Sequence, residues 1–208
     1  MDQKLSDEAK KYKVDFMTAP YDLNYVDKVF GYIKAYKIGS GDVNWREIIN
    51  KISQKKKPVI IATGASNLSE VKSAINLIYK NNKKIILMQC NTNYTYNEEN
   101  FKYINLNVLK TFKKIFKDKI ILGLSDHTQG HSTVLGAVTL GARVIEKHFT
   151  DNNNRKGPDH YFSLNPITWT EMVKETRRLE KALGNGKKIV EKNEKRTNYI
   201  QRRGSYAI

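Results

Sequence analysis

The chain has 208 residues, with 37 Lys and Arg against 21 Asp and Glu, a length that suits one domain or one domain with a short tail. Its formal net charge of +16 does not predict a nucleic-acid partner, because the lysines are spread along helix-like segments such as KTFKKIFKDK. A single cysteine, Cys90, excludes an internal disulfide, and no apolar run is long enough to span a membrane, so we expect a cytoplasmic protein without a membrane partner.

Six short apolar runs rich in β-branched residues recur along the chain. Continuous apolar runs of this length are typical of strands that are buried on both faces of a parallel sheet. Helix-like segments lie between the runs, so the alternation predicts βα units and an α/β fold. The predicted strands span residues 14–20, 35–41, 58–64, 84–90, 120–126 and 143–149.

Local signals mark the ends of two predicted helices. One helix begins near Asn67 or Ser69, either of which can cap its first turn, and apolar residues follow at helical spacing. Asn165 and Pro166 mark the start of the helix after the last strand, and Gly184 marks its end. These signals support the alternation of strands and helices.

Polar side chains gather at the carboxyl ends of the predicted strands, where a βα barrel or an open doubly wound sheet forms its site. His127 and His148 end successive strands, so we expect them to face each other. Two histidines without a cysteine cluster favour a divalent metal that also takes oxygen ligands or water. The alternative is that each histidine satisfies a local backbone group. The other polar residues at these ends are Thr18, Lys37, Ser40, Thr63, Gln89, Cys90 and Ser125.

Several stretches resemble the sialic acid synthase family, in the family's order, across residues 14–190. They are KIGSGD, KPVIIATGAS, GLSDHTQG, VIEKHFTDNNNRKGPDH and LEKALGNGKK. The resemblance implies a TIM-type (β/α)₈ barrel that condenses phosphoenolpyruvate with an N-acylated hexosamine. This sugar would be N-acetylmannosamine, its 6-phosphate, or a legionaminate or pseudaminate precursor. The resemblance also implies a divalent metal, Mn²⁺ or Mg²⁺, and a homodimer.

The resemblance assigns roles to residues at the strand ends. His127 and His148 match the family's metal-binding histidines. Lys37 and Ser40 match residues that hold the phosphate and carboxylate of phosphoenolpyruvate, and Ser125 matches another contact to that substrate. A lysine beside a hydroxyl in a glycine-flanked turn also suits an oxyanion on chemical grounds.

Three further residues match the sugar side of the family's site. Asp42 matches an acidic position, Tyr94 an aromatic position, and Asp159 a residue that accepts a hydrogen bond from a sugar hydroxyl. Each residue also has a structural alternative: a helix cap for Asp42, core packing for Tyr94 and a loop turn for Asp159.

Two positions depart from the family pattern and lose a hydroxyl group. Ala62 stands where the family often has serine, and Ala19 stands where many members have threonine. Thr18 and Thr63 are the candidates to supply a replacement hydroxyl to phosphoenolpyruvate.

The mechanism implied by the resemblance is a condensation with C–O cleavage of phosphoenolpyruvate. The methylene carbon of that substrate attacks the open-chain sugar aldehyde, which the metal polarises, and phosphate leaves a tetrahedral intermediate. Lys37 would stabilise the developing charge, and Asp42 is the second candidate catalytic residue. Cys90, at a strand end, is expected to be a packed residue and not a nucleophile.

A closed barrel needs eight βα units, whereas six are predicted here within residues 1–190, followed by a tail or linker at 191–208. The family's small antifreeze-like C-terminal domain has no counterpart in the sequence. Six parallel strands without closure would leave two unpaired edges. We therefore expect a fragment of a longer gene product, with little or no synthase activity on its own.

Two other functions stay open at the level of sequence. One is a different barrel synthase or aldolase that uses phosphoenolpyruvate or pyruvate; borohydride trapping on Lys37 or Lys147 would reveal a Schiff base. The other is a non-enzymatic basic protein, which would bind DNA or acidic glycans in a salt-sensitive and metal-independent manner.

Overall fold

The computed structural model describes residues 2–94 and 97–204, which form an α/β half-barrel around one parallel sheet. The sheet follows the order β1-β2-β3-β4-β5, so each strand pairs with the one before it in sequence. Its strands are β1 (Tyr36–Ile38), β2 (Val59–Ala62), β3 (Ile85–Cys90), β4 (Ile121–Asp126) and β5 (Val144–Lys147). The helices are α1 (Asp2–Lys11), α2 (Leu23–Lys28), α3 (Arg46–Gln54), α4 (Leu68–Asn81), α5 (Val108–Phe116), α6 (Ser132–Thr139), α7 (Pro166–Ala182) and α8 (Lys195–Gln201).

The side chains of each strand alternate between two buried faces of the sheet. One face packs against the helices and forms the main core. The members from the strands include Tyr36, Ile38, Val59, Ile61, Ile85, Leu87, Leu122 and Leu124. The opposite face carries the smaller cluster of Ile60, Ala62, Met88 and Cys90. Burial on both faces explains the continuous apolar runs, and it confirms five of the six predicted strands.

The first predicted strand, residues 14–20, is wrong as a strand. Thr18 forms a single parallel bridge with Tyr36, and Val14 and Met17 are more than 40% exposed. Two backbone hydrogen bonds hold the run to the sheet, from Lys34 N to Phe16 O and from Lys37 N to Thr18 O. An apolar composition without a continuous hydrogen-bonded ladder gives an extended segment but no strand.

The predicted helix ends agree with the structure. Asn67 caps α4 in a capping box, because its side chain accepts from the backbone of Ser69 and Glu70 and Glu70 accepts from its backbone N–H. Asn165 caps α7 in the same manner, with Pro166 in the first turn. Gly184 follows α7 with φ of +60°, the left-handed conformation that ends helices.

Several lysines interact with backbone carbonyls near the ends of helices. Lys56 Nζ donates to Asn81 O, Lys83 Nζ to Tyr79 O, and Lys57 Nζ to Phe30 O, two residues after α2. Cations are favourable at helix C-termini, so part of the large positive charge stabilises the fold. Among the described residues, no helix combines the length and apolar character needed to cross a membrane.

Candidate active site

The register between β4 and β5 sets the geometry of the histidine pair. Asp126 lies opposite Lys147 in the parallel ladder, so the next residues, His127 and His148, also lie side by side. Their ring centroids are 5.2 Å apart. The two strands therefore end on Asp-His and Lys-His in matching register, as the sequence predicted.

Each histidine has a neighbour at Nδ1, which leaves Nε2 as the nitrogen free to bind a ligand. His127 Nδ1 lies 2.9 Å from the carbonyl oxygen of Asn91, and since a carbonyl only accepts, Nδ1 carries the hydrogen. His148 Nδ1 lies 3.7 Å from Asp159 Oδ2. Burial lowers the pKa of His127, although its contact with Asn91 opposes this effect, so the neutral imidazole is favoured.

This arrangement fits a divalent metal that is shared with oxygen donors. A metal-binding histidine commonly donates its other ring N–H to a carbonyl or carboxylate, as His127 does here. Within residues 2–94 and 97–204, no group of three or more His, Cys, Asp and Glu is placed to hold a metal. The chain thus offers two imidazoles, and oxygen atoms of water or substrate would complete the coordination.

The two histidines lie at the edge of a cavity of about 620 Å³ at the carboxyl ends of the strands. The cavity is also lined by Thr18, Lys37, Ser40, Ser125 and Glu146. Lys37 Nζ approaches Glu146 Oε2 at 3.1 Å, which joins β1 to β5 across the opening. Lys37, on β1, lines the same cavity as the two histidines that follow β4 and β5, so an anion in this cavity can contact both sets of groups.

Hydroxyl groups lie near Lys37 in this cavity. Ser40 Oγ accepts a hydrogen bond from Thr92 Oγ1 at 2.8 Å, and Cys90 Sγ lies 3.9 Å from the same Thr92 oxygen. A Cβ on Gly64 would lie 1.8 Å from Thr92 Oγ1, so only glycine leaves room for that threonine. Cys90 is buried as predicted, and burial raises the pKa of its thiol, against the effect of Ser125.

Of the three residues predicted on the sugar side, Tyr94 lines the cavity, whereas Asp42 and Asp159 are not among its lining residues. Tyr94 is 45% exposed, and its ring lies 4.3 Å from that of His127 and 5.7 Å from that of His148. Burial raises the pKa of Asp42, with Lys37 acting in the opposite direction. Asp159 reaches the cavity only through its contact with His148. Tyr94 therefore stacks on the histidine pair and does not pack in the core.

The structure does not place Thr63 in the cavity. Its hydroxyl donates to Met88 O at 2.9 Å, and its side chain points to the face opposite that of Ala62. Alternation along β2 requires this, because Ala62 faces the cavity. Of the two candidate hydroxyls, Thr18 lines the cavity and Thr63 does not.

Comparison with known proteins identifies the family. The family model described as NeuB matches residues 1–188. The chain belongs to the NeuB family. This confirms the predicted sialic acid synthase-like enzyme family, whose members are similar to this chain across most of the described residues.

Two NeuB-family relatives show the extent of the match. N,N'-diacetyllegionaminic acid synthase of Campylobacter jejuni is 38% identical over 96% of this chain and 59% of its own length. Human N-acetylneuraminate-9-phosphate synthase is 34% identical over 72% of this chain and 40% of its own. The chain thus spans about half the length of the curated relatives it matches.

A solved structure agrees with the fold of this NeuB-family chain. The N-acetylneuraminic acid (sialic acid) synthetase from Leptospira borgpetersenii serovar Hardjo-bovis, in complex with citrate, superposes with a TM-score of 0.85. It is 27% identical and covers 97% of this chain and 70% of the other. The half-barrel is therefore the arrangement that this family uses for the corresponding region.

Sequence reasoning did not assign roles to three residues of the site, Glu146, Thr92 and Asp126, and it considered Lys147 only as a candidate Schiff-base lysine. The first two contact Lys37 and Ser40, as described above. The ammonium group of Lys147 is enclosed by Asp126 Oδ2 at 2.7 Å and by the carbonyl oxygens of Thr128 and Gly130 at 2.6 and 3.0 Å. All three of its protons have acceptors, so Lys147 is not placed to form a Schiff base in the NeuB-family fold.

Proposed function

We propose that this chain carries the metal and phosphoenolpyruvate side of a nonulosonic acid synthase site. The observation that carries the proposal is the placement of two neighbouring imidazoles, His127 and His148, opposite Lys37 over one cavity. A cation, hydroxyls and a metal position together suit a substrate with a phosphate, a carboxylate and an electrophilic partner.

The residues take distinct roles in this proposal. Lys37, Ser40 and Ser125 bind the phosphate and carboxylate of phosphoenolpyruvate, and Lys37 stabilises the negative charge that develops. Asp42 holds a proton more readily than an exposed aspartate, since burial raises its pKa. His127 and His148 would hold a divalent ion such as Mn²⁺ or Mg²⁺, which would supply Lewis acidity toward the sugar aldehyde.

The second substrate in the proposal is an open-chain N-acylated hexosamine. Tyr94 and Asp159 border the opening beside the histidines, where an aromatic face and a carboxylate suit a sugar. The names of the relatives, a legionaminic acid synthase and a neuraminate-9-phosphate synthase, support this class of sugar. The homodimer remains a proposal by resemblance. Because the chain spans half of its relatives, binding and not turnover is the property expected of it alone.

Calorimetry with MnCl₂ tests the metal side of the proposal. We expect the wild type to bind Mn²⁺ and the His127→Ala/His148→Ala variant to lose this binding. His131→Ala is the matched control, because His131 begins α6 outside the cavity, and it should bind as the wild type does. A folded wild type without Mn²⁺ binding, or equal binding by the double variant, would contradict the proposal.

Phosphoenolpyruvate is then titrated into the Mn²⁺-loaded protein. We expect saturable binding that sulfate does not reproduce at the same concentration, because sulfate lacks the carboxylate that Ser40 and Ser125 are proposed to hold. Binding of both anions with equal affinity would mean that the cavity selects only negative charge.

A further inference from the structure

The pair formed by Asp126 and Lys147 is buried, although charged groups are costly to bury. The exposed fractions of the two side chains are 0% for Asp126 and 1% for Lys147. Replacing a buried ion pair with apolar groups is often neutral or stabilising, so stability alone is a weak reason for such a pair. Its location beside the two histidines suggests another reason.

The pair is embedded in a hydrogen-bond network that satisfies both partners. Asp126 accepts from Thr128 N at 3.1 Å, from Thr128 Oγ1 at 2.9 Å and from Thr133 Oγ1 at 2.6 Å, besides Lys147. The bond from Thr128 N closes a turn over His127 and fixes the backbone on both sides of that residue. Lys147 in turn holds the carbonyls of Thr128 and Gly130.

The network therefore connects the backbone that carries one histidine to the backbone that carries the other. His127 follows Asp126 directly, and His148 follows Lys147 directly. Side chains alternate along a strand, so the pair lies on the helix side of the sheet while both imidazoles face the cavity. A contact between two buried side chains thus sets the spacing of the imidazoles in the cavity.

We propose that Asp126 and Lys147 are positioning residues that fix the spacing of the His127 and His148 rings and the hydrogen bond from His127 Nδ1 to Asn91. The pair touches neither substrate nor metal, and it acts through the two histidines. The measurement of Mn²⁺ affinity described below rests on the proposed function, whereas the measurement of the His127 tautomer does not.

Two variants separate positioning from stability. Lys147→Met leaves the charge of Asp126 buried and unpaired, so it is expected to lower the stability. Asp126→Asn/Lys147→Met leaves no buried charge and keeps an oxygen for the turn over His127, but it removes the link between the strands. We expect this double variant to regain stability relative to Lys147→Met without regaining the histidine geometry.

Asn82→Ala is the matched control. Asn82 is buried, and its amide donates to Lys57 O at 2.6 Å near the start of β2, at the end of the sheet away from the histidines. Losing this contact should lower the stability, because the part-buried carbonyl of Lys57 loses its partner. The histidine pair should remain unchanged in this variant.

Two measurements are made on each full-length variant. Electron paramagnetic resonance of free Mn²⁺ gives the affinity, which should fall about 10- to 100-fold in both Lys147 variants, as for other residues that orient metal ligands. Nitrogen chemical shifts of the imidazoles in metal-free protein give the tautomer of His127. We expect one Nδ1–H tautomer in the wild type and in Asn82→Ala, and a mixture in both Lys147 variants.

The proposal is overturned if the double variant keeps the wild-type tautomer and Mn²⁺ affinity, or if Asn82→Ala loses them to the same extent. A wild type that binds no Mn²⁺ would contradict the proposed function, and the tautomer would then decide on positioning alone. Should the Lys147 variants fail to fold, Thr133→Val removes one bond to Asp126, and a partial shift of the His127 tautomer is expected.

Discussion

Two lysine–carboxylate pairs in this half-barrel contain the same kinds of charged group but differ in burial, in strand position and in hydrogen bonding. Lys147 and Asp126 join adjacent strands in direct register, and both are almost fully buried and hydrogen-bonded. Lys37 and Glu146 join the outer strands β1 and β5 across the cavity, with side chains 16% and 42% exposed. Lys37 Nζ approaches Glu146 Oε2 without the alignment of a hydrogen bond.

The difference shows how burial and partner number decide what an ion pair can do. A pair with every proton accepted and no access to water holds one geometry, because any change leaves a buried group unsatisfied. A partly exposed pair with one contact and no hydrogen bond costs less to separate. Lys37 can therefore exchange Glu146 for a bound anion, whereas Lys147 stays with Asp126.

Removing the carboxylate from each pair should give the largest contrast. Asp126→Ala leaves Lys147 buried without its counter-charge and should lower the free energy of unfolding by about 3–5 kcal/mol. Glu146→Ala should lower it by less, since the Glu146 side chain is 42% exposed and its Oε2 makes no hydrogen bond. Urea unfolding followed by circular dichroism measures both values, and similar losses in the two variants would remove the distinction.

Lys37 should matter more than Lys147 for ligand binding, although the buried pair of Lys147 matters more for stability. Lys37→Met should weaken phosphoenolpyruvate binding to the Mn²⁺-loaded chain by about 10- to 100-fold, the loss of one charge-assisted hydrogen bond. Lys34→Met makes the same chemical change at an exposed position just before β1 and should leave the affinity nearly unchanged. Calorimetry compares the two, and equal losses would point to overall charge instead of a specific contact.

The spacing between β4 and β5 offers a way to disturb the buried pair without touching it. A Cβ on Gly123 would lie 2.8 Å from Val144 O and 2.9 Å from Met88 Cγ, so Gly123→Ala must push these groups apart. We expect a loss of about 1–3 kcal/mol in stability, as for other overpacked interiors. Gly31→Ala, with no atom within 4 Å of its Cβ, should change the stability little, and thermal unfolding compares them.

The smallest expected effect concerns Cys90, on the cavity side near Lys37. Burial raises the pKa of this thiol despite the hydrogen bonds from Ser125 and Thr92, so little thiolate forms at neutral pH. The native thiol should react with Ellman's reagent at least about tenfold more slowly than the urea-unfolded chain, with a rate that rises as pH increases. Equal rates in both states would show that the cavity face is open to reagents.

The strands and the histidine pair were predictable because both follow from local patterns. Apolar runs that are buried on two faces identify strands, and parallel strands bring their carboxyl ends together, so His127 and His148 meet. The run at residues 14–20 shows the limit of this reasoning. Its composition is that of a strand, but strand formation depends on a hydrogen-bonded partner that composition does not reveal.

The contacts of the two ion pairs and the orientation of Thr63 depend on strand register and on the alternation of side chains along a strand. Asp126 and Lys147 are ordinary neighbours of the histidines in sequence, and only the β4–β5 register places them opposite each other. Thr63 was assigned to the cavity although Ala62, the residue before it, faces that way. Side chains alternate between the two faces of a strand. Because Ala62 faces the cavity, alternation along β2 places Thr63 on the other face.

The order of the strands, which is the order of the chain, has a consequence for synthesis. Each strand forms its ladder with the strand made just before it, so the sheet can grow from its N-terminal side while translation continues. His148 follows β5, the last of the five strands in the described residues, so a nascent chain that ends before β5 holds only one residue of the histidine pair.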